Sequence, residues 1–91
     1  MLFFFGSSRK NVSKREFQEV ISTLYRNGFG QRARDEVRLI FMGDLDESDS
    51  QAGIDTIELE RRMSQLRSRE LRHNLTAKQL DTLEEVLTSK L

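Results

Sequence analysis

One short pattern, present three times, constrains the fold of this chain more than any other feature of the sequence. An apolar residue precedes a Ser, Asp or Thr, a Glu or Gln stands three residues later, and a second apolar residue follows; the copies begin at Val12, Ile54 and Leu75. A Ser, Asp or Thr in this place accepts a hydrogen bond from the first turn of a helix. The Glu or Gln returns one, and the two apolar side chains pack together. Each copy therefore predicts the start of a helix.

Apolar residues recur every three or four positions behind these starts and in one further segment, which is the period of a helix that buries one face. The stripes are Phe17, Val20, Ile21 and Leu24; Ala33, Val37, Ile40 and Phe41; Leu59, Met63 and Leu66; and Leu80, Leu83, Val86 and Leu87. The chain contains no proline, and no segment alternates apolar and polar residues as a strand does. The sequence therefore predicts an all-α fold, a small four-helix domain.

The predicted helices span about residues 14–26, 31–42, 56–72 and 77–90. The first ends at Asn27-Gly28, because glycine readily adopts the left-handed conformation that closes a helix, and Gly43 is the predicted stop of the second. Isolated helices of this length are marginal in water, so the four must pack against one another. The side chains expected in their shared core are Phe17, Leu24, Val37, Phe41, Leu59, Met63, Leu80 and Leu87.

The length and the cysteine and histidine content exclude several classes of site. At 91 residues the chain corresponds to one helical domain, with residues 1–12 as an N-terminal apolar arm. It has no Cys and one His, His73, so disulfides, a thiolate nucleophile and a multi-histidine metal site are excluded. His73 falls where the third helix should end, which favours a capping or surface role over that of a catalytic base. We therefore expect no catalytic residue and no cofactor.

Charge is balanced overall but segregated along the chain. Fifteen Lys and Arg match fifteen Asp and Glu, so no net field favours nucleic acid or an acidic membrane. Residues 44–60 nevertheless hold seven acidic residues and no basic one, and residues 61–73 hold five Arg and one Glu. The acidic segment is therefore either a solvated linker or a site for a cation or a charged partner.

Residues 36–63 resemble the EF-hand, the helix–loop–helix calcium module. An apolar helix leads into an acidic loop, and Ile54 and Glu58 are spaced as at the end of that family's loop. The resemblance implies a β contact between Ile54 and a second loop, and it makes the first two helices, joined by residues 27–31, a candidate second hand without acids. If calcium binds, the resemblance implies ligands at Asp44, Asp46, Asp49 and Glu58.

The loop departs from the family's standard length and composition. Counted back from Glu58, its first position is Glu47 and its sixth is Ala52, where the family has Asp and Gly. Starting at Asp44 or Asp46 instead makes the loop too long. We therefore expect no metal ligands and no tightly bound calcium, and we keep calcium binding through residues 44–58 as an alternative.

The chain opens with five consecutive apolar residues, Met1 to Phe5. This run is far shorter than the roughly 20 residues of a membrane-spanning helix, and no basic residue precedes it as in a secretory signal. We expect no transmembrane segment. The arm should either pack onto the helices or contact a partner, which makes Leu2, Phe3, Phe4 and Phe5 the candidate partner-binding residues.

The segment 31–42 carries Arg32, Arg34 and Arg38 after a glycine-containing turn, as the second helix of a helix-turn-helix does. Two acidic neighbours dilute that charge, and the balanced composition argues against strong phosphate affinity. Weak nucleic-acid binding through this helix is a second alternative.

The favoured prediction is a non-enzymatic protein-interaction or scaffolding module in the cytoplasm, with an unidentified protein or peptide partner. Its oligomeric state stays open. The last residues, Ser89-Lys90-Leu91, match a peroxisomal address, which applies only in a eukaryote with this end exposed. We interpret them instead as the end of the fourth helix.

Overall fold

Four helices make up most of what the computed structural model describes, which is residues 11–45 and 53–91. The helices are α1 (Lys14–Arg26), α2 (Gln31–Leu45), α3 (Thr56–Arg67) and α4 (Ala77–Thr88). Within these ranges the only β structure is an isolated antiparallel bridge between Val12 and Ile54. The predicted all-α fold is confirmed. Residues 1–10 of the predicted arm lie outside the described residues.

Three helices begin with the capping boxes that the sequence predicts. In each box the N-cap side chain accepts the backbone N–H of the third helical residue, and that residue's side chain accepts the N–H of the cap. The caps are Ser13, Asp55 and Thr76, and their partners are Glu16, Glu58 and Gln79. The reciprocal bonds satisfy backbone donors that the first turn of a helix leaves unpaired, so each helix starts at a defined residue.

The predicted core is confirmed, since all eight side chains named from the stripes are at most 4% exposed. The rings of Phe17 on α1 and Phe41 on α2 lie 6.1 Å apart between centroids at an angle of 55°, which fixes these two helices against each other. The apolar residues in front of the caps, Val12, Ile54 and Leu75, are buried in the same cluster. The repeated pattern therefore supplies both helix starts and core.

Helix α4 connects the α1–α2 pair to α3. It packs against both α1 and α3, whereas α2 packs mainly on α1. Ion pairs follow the same contacts: Arg67 bonds to Asp81 at 2.9 Å and to Glu84 at 2.6 Å, and Lys90 Nζ bonds to Glu19 at 2.6 Å. Among the described residues, no helix has the length and apolar character needed to cross a membrane.

Helix α2 runs past its predicted stop. It continues through Gly43 to Leu45, because Leu45 is buried and the backbone N–H of Gly53 donates to the carbonyl of Asp44 at 2.9 Å. A glycine inside a helix costs about 1 kcal/mol relative to alanine. Burial of a leucine side chain contributes roughly 1.5–3 kcal/mol and offsets that cost.

The other two helix ends were predicted too late in the chain. Helix α3 ends at Arg67 instead of near residue 72, because Arg69 adopts a left-handed φ of 65° and its N–H turns back to the carbonyl of Leu66 at 3.3 Å. Helix α4 ends at Thr88, and Lys90 and Leu91 follow it as partly buried residues.

Candidate functional site

Most of the residues singled out for function from the sequence fall outside the described residues. Leu2, Phe3, Phe4 and Phe5, the candidate partner contacts, lie there. So do Asp46 and Asp49, two of the four ligands that the EF-hand resemblance implies. The structure therefore describes the two ends of the acidic segment, Asp44 and Glu58, and the helices that flank it.

The two described members of the implied calcium site both bond within the protein. Asp44 Oδ2 lies 3.5 Å from Arg62 Nη2 on α3. Glu58 Oε1 accepts the backbone N–H of Asp55 at 3.0 Å in the capping box of α3. Within the described ranges, no group of three or more His, Cys, Asp or Glu side chains is placed to hold a metal ion.

Ile54 forms a β contact, but its partner differs from the expected one. The N–H of Val12 donates to the carbonyl of Ile54 at 2.7 Å, and the N–H of Ile54 donates to that of Val12 at 2.9 Å. The partner segment thus precedes α1 and is not the connection between α1 and α2. The connection between α1 and α2, which belongs to the candidate second hand, therefore does not supply the partner of Ile54. The structure pairs two copies of the repeated pattern, each immediately in front of its capped helix.

A glycine makes this bridge possible. Gly53 has a φ of +108°, and a Cβ placed on it would lie 2.6 Å from the carbonyl oxygen of Val12. Any other residue would clash with the backbone there and would be strained at that φ. The bridge, together with the Gly53–Asp44 bond, fixes the start of the described chain beside the end of α2.

His73 is a buried helix cap and not a surface residue. Its exposed fraction is 7%, and its Nδ1 accepts the backbone N–H of Leu75 at 3.0 Å. Nε2 lies 2.6 Å from the carbonyl oxygen of Leu66 in the last turn of α3. Because a backbone N–H only donates and a carbonyl only accepts, Nδ1 must be unprotonated and Nε2 must carry the hydrogen. The predicted capping role is confirmed, and the alternative of a surface position is wrong.

The arginines of α2 do not form one basic face. Arg34 stacks on the ring of Tyr25, with 4.7 Å from its guanidinium carbon to the ring centroid. Arg38 Nη1 bonds to Asp35 at 2.7 Å. Only Arg32 of the three makes no such contact within the part of the chain that the structure describes.

An apolar groove lies between α1 and α2. Leu39 and Met42 lie one helical turn apart on α2 with 67% and 50% of their surface exposed. Beside them the buried side chains of Phe17 and Leu45 line a hollow of about 340 Å³, open to solvent. The full lining is Lys14, Phe17, Gln18, Arg38, Leu39, Met42 and Leu45. We refer to these seven residues as the α1–α2 groove.

The periodicity of the core residues does not point to this groove, because Leu39 and Met42 stand outside the buried stripe of α2. The usable signal is a pair of large apolar residues, three positions apart, on a helix whose core face is already complete. The other large apolar side chains exposed in the described ranges are Ile57 and Tyr25, and Tyr25 is stacked under Arg34.

A second, polar hollow lies beside the turn between α3 and α4, with a volume of about 600 Å³. Glu36 Oε2 accepts the backbone N–H of Asn74 there at 3.0 Å, and Arg69 and Arg72 form part of the wall. His73 also lines it, but both ring nitrogens are already bonded to backbone groups. The hollow therefore presents no imidazole nitrogen that is free to act as a base.

Comparison of this chain with protein-family models, with curated proteins and with solved structures finds no match.

Proposed function

We propose that this protein is a non-enzymatic interaction module, and that it binds an amphipathic segment of a protein partner in the α1–α2 groove. The observation that carries the proposal is the exposure of Leu39 and Met42 beside a hollow whose floor is Phe17 and Leu45. An exposed apolar groove is the kind of surface into which an amphipathic helix lays its apolar face.

The rim of the groove supports a partner with acidic residues beside its apolar anchors. Lys14 stands on the α1 side and Arg38 on the α2 side. Arg38 pairs with Asp35 in an exposed position, where ion pairs exchange readily with solvent and with other charges. Opposite charge across such a rim orients a ligand and speeds its association more than it adds affinity.

The experiment that tests this proposal is selection of peptides from a displayed library, followed by calorimetry on the peptides obtained. We expect apolar residues three or four apart, and a rise in Kd of about tenfold or more for Leu39→Glu, because a buried leucine contributes roughly 1.5–3 kcal/mol. The matched control is Ile57→Glu, which charges an apolar residue of similar exposure on α3. Equal affinity for both variants would refute the groove as the binding site.

Calcium binding by residues 44–58 is the second candidate. The observation that favours it is the reciprocal bridge at Ile54 directly before the capped start of α3, because the EF-hand resemblance implies a β contact at that position. Against it, the carboxylates of Asp44 and Glu58 bond within the protein. Nucleic-acid binding has no comparable support, because Arg34 and Arg38 are engaged with Tyr25 and Asp35.

A further inference from the structure

We propose that the chain's own segment Leu2–Phe5 occupies the α1–α2 groove, and that a partner must displace it. The inference rests on the proposed function only for the identity of the groove. It identifies an apolar segment of the chain itself as the competitor of a partner for this apolar groove.

The described chain begins at one end of this groove. Val12 is held by its two hydrogen bonds to Ile54, and the adjacent Gly53 is held to Asp44. Asp44 is followed by Leu45, which lines the groove, and Lys14 lines it from the α1 side. Whatever precedes Asn11 is therefore tethered beside the groove at the C-terminal end of α2.

The length of the preceding chain suits the dimensions of the groove. Gly6–Asn11 supply six residues between the anchor at Val12 and the apolar segment, which span roughly 20 Å when extended. The groove side of α2 from Leu45 back to Leu39 is about 9 Å long. Leu2–Phe5, about 13 Å when extended, covers that length, and Gly6 allows the chain to turn into the groove.

The chemistry of the segment is complementary to what it would cover. Leu2–Phe5 carries no charged side chain, so Lys14 and Arg38 at the rim do not repel it. The following Arg9 and Lys10 would lie near the C-terminal end of α2, whose last turn contains no basic residue. Cations are favoured there by the exposed carbonyls and the helix dipole.

Disulfide trapping tests the contact directly, because the chain contains no cysteine of its own. The double variant Phe4→Cys with Met42→Cys is oxidised under mild conditions at low protein concentration, and the products are read on non-reducing gels and by mass spectrometry. The matched control is Phe4→Cys with Ile57→Cys, which places the second thiol at an equally exposed apolar site on α3.

We expect an intramolecular disulfide that forms at least about tenfold faster in the Met42 pair than in the control, because docking raises the local concentration of one thiol near the other. Equal rates in the two pairs would overturn the proposal. Disulfide-linked dimers as the main product would also overturn it and would assign the groove to a second copy of the chain.

A second measurement leaves both groove residues unchanged. The variant Phe4→Ser with Phe5→Ser should shift the amide signals of Leu39 and Met42 and leave that of Ile57 in place, whereas Ser7→Ala with Ser8→Ala should shift none of them. No change at Leu39 and Met42 would contradict the docking.

The two proposals can fail separately. If trapping fails while a selected peptide still loses affinity with Leu39→Glu, the groove binds partners without an internal competitor. If trapping succeeds and the peptide ignores Leu39→Glu, the contact is structural and the proposed function is wrong. If both hold, Phe4→Ser with Phe5→Ser should bind the peptide more tightly than the unaltered chain.

Discussion

The side chain of His73 caps the end of helix α3. Its ring joins the last turn of α3, through the carbonyl of Leu66, to the backbone of Leu75 in front of α4. The sequence placed it near a helix end but gave no sign that both ring nitrogens face backbone. Local spacing reveals which residues are close in the chain, whereas this bond depends on how the α3–α4 turn folds back.

We expect His73 to be the Nε2–H tautomer, because Nδ1 accepts an N–H and Nε2 faces a carbonyl. Long-range proton–nitrogen correlation spectra measure this directly. Replacement by Ala leaves a buried carbonyl and a buried N–H without these partners and should lower the free energy of unfolding by about 1–3 kcal/mol.

Asn74→Ala is the control for that change, because Asn74 contacts Glu36 through its backbone N–H, which the substitution keeps. A protonated Nδ1 in the neutral ring, or equal stability of both variants, would contradict the assignment.

Two glycines should respond in opposite directions to the same substitution. Gly53→Ala should destabilise the protein, since its Cβ would meet the Val12 carbonyl at 2.6 Å and its φ is +108°. Gly43→Ala should stabilise it by up to about 1 kcal/mol, because Gly43 is helical and has nothing within 4 Å of its Cβ position. Chemical denaturation measures both. Destabilisation by Gly43→Ala would show that α2 does not continue through this residue.

At the level of the elements, the helix starts were readable from the sequence and the ends were not. A start such as Ser13 is decided by bonds between residues three positions apart, so the pattern alone contains it. The end of α2 depends on the burial of Leu45 and on Gly53, which is brought there by the bridge to Val12. The end of α3 depends on the left-handed φ of Arg69 and on the contact between the His73 ring and the Leu66 carbonyl, neither of which the spacing of apolar residues contains.

The three caps should each contribute to stability. We expect Ser13→Ala, Asp55→Ala and Thr76→Ala to lower the free energy of unfolding by about 0.5–2 kcal/mol each, because each removes the acceptor of a first-turn N–H. Thr88→Ala, in the exposed last turn of α4, is a control that leaves every cap intact. Unchanged stability in all three cap variants would contradict the helix starts.

The segment between α2 and α3 can be tested with calcium itself. We expect calorimetry at moderate salt to show no saturable site in the micromolar range, because the loop has Glu47 and Ala52 where the EF-hand has Asp and Gly. A micromolar site that is lost in Glu58→Gln, with Glu60→Gln as the control, would make calcium binding the leading function.

At the scale of the whole molecule, the core could be predicted from the sequence while the groove could not. Residues such as Phe41 and Leu87 repeat at the helical period, and every compact arrangement of the four helices buries them. Leu39 and Met42 line an open groove only because α2 packs mainly on α1 and leaves one side open. Which side of α2 stays uncovered is decided by how the four helices pack, and the sequence of α2 alone does not contain it.

Phe41→Ala should lower the free energy of unfolding by about 3–5 kcal/mol. Phe41 is fully buried and its ring packs against that of Phe17 between α1 and α2. Because small domains have total stabilities of roughly 5–15 kcal/mol, thermal or chemical denaturation should show a large fall. Leu39→Ala, which truncates an exposed side chain, is the control; a similar loss in both variants would refute the core position of Phe41.

The contact between α1 and the end of α4 should depend on pH. The hydrogen bond and positive charge of Lys90 lower the pKa of Glu19 from its ordinary value of 4.5. A carboxylate with a lowered folded pKa stabilises the fold above its unfolded pKa, and this contribution is lost as pH falls through the folded value.

Lys90→Met should therefore be less stable than the unaltered protein at neutral pH, and the difference should shrink as pH falls below 4.5. Lys78→Met, which removes an exposed lysine from α4, is the control. A stability difference that is constant over this range would contradict the ion pair as its source.

The bridge between Val12 and Ile54 also imposes an order in time on folding. The first residue of the contact is made early in synthesis, and the second follows only after α1, α2 and the acidic segment have been added. Contacts between distant positions form slowly because a long loop must close first. The packing of α3 on α4 joins neighbours in the chain and has no such delay. We therefore expect α3 and α4 to pack together before Val12 pairs with Ile54, although Val12 is synthesised earlier than either helix.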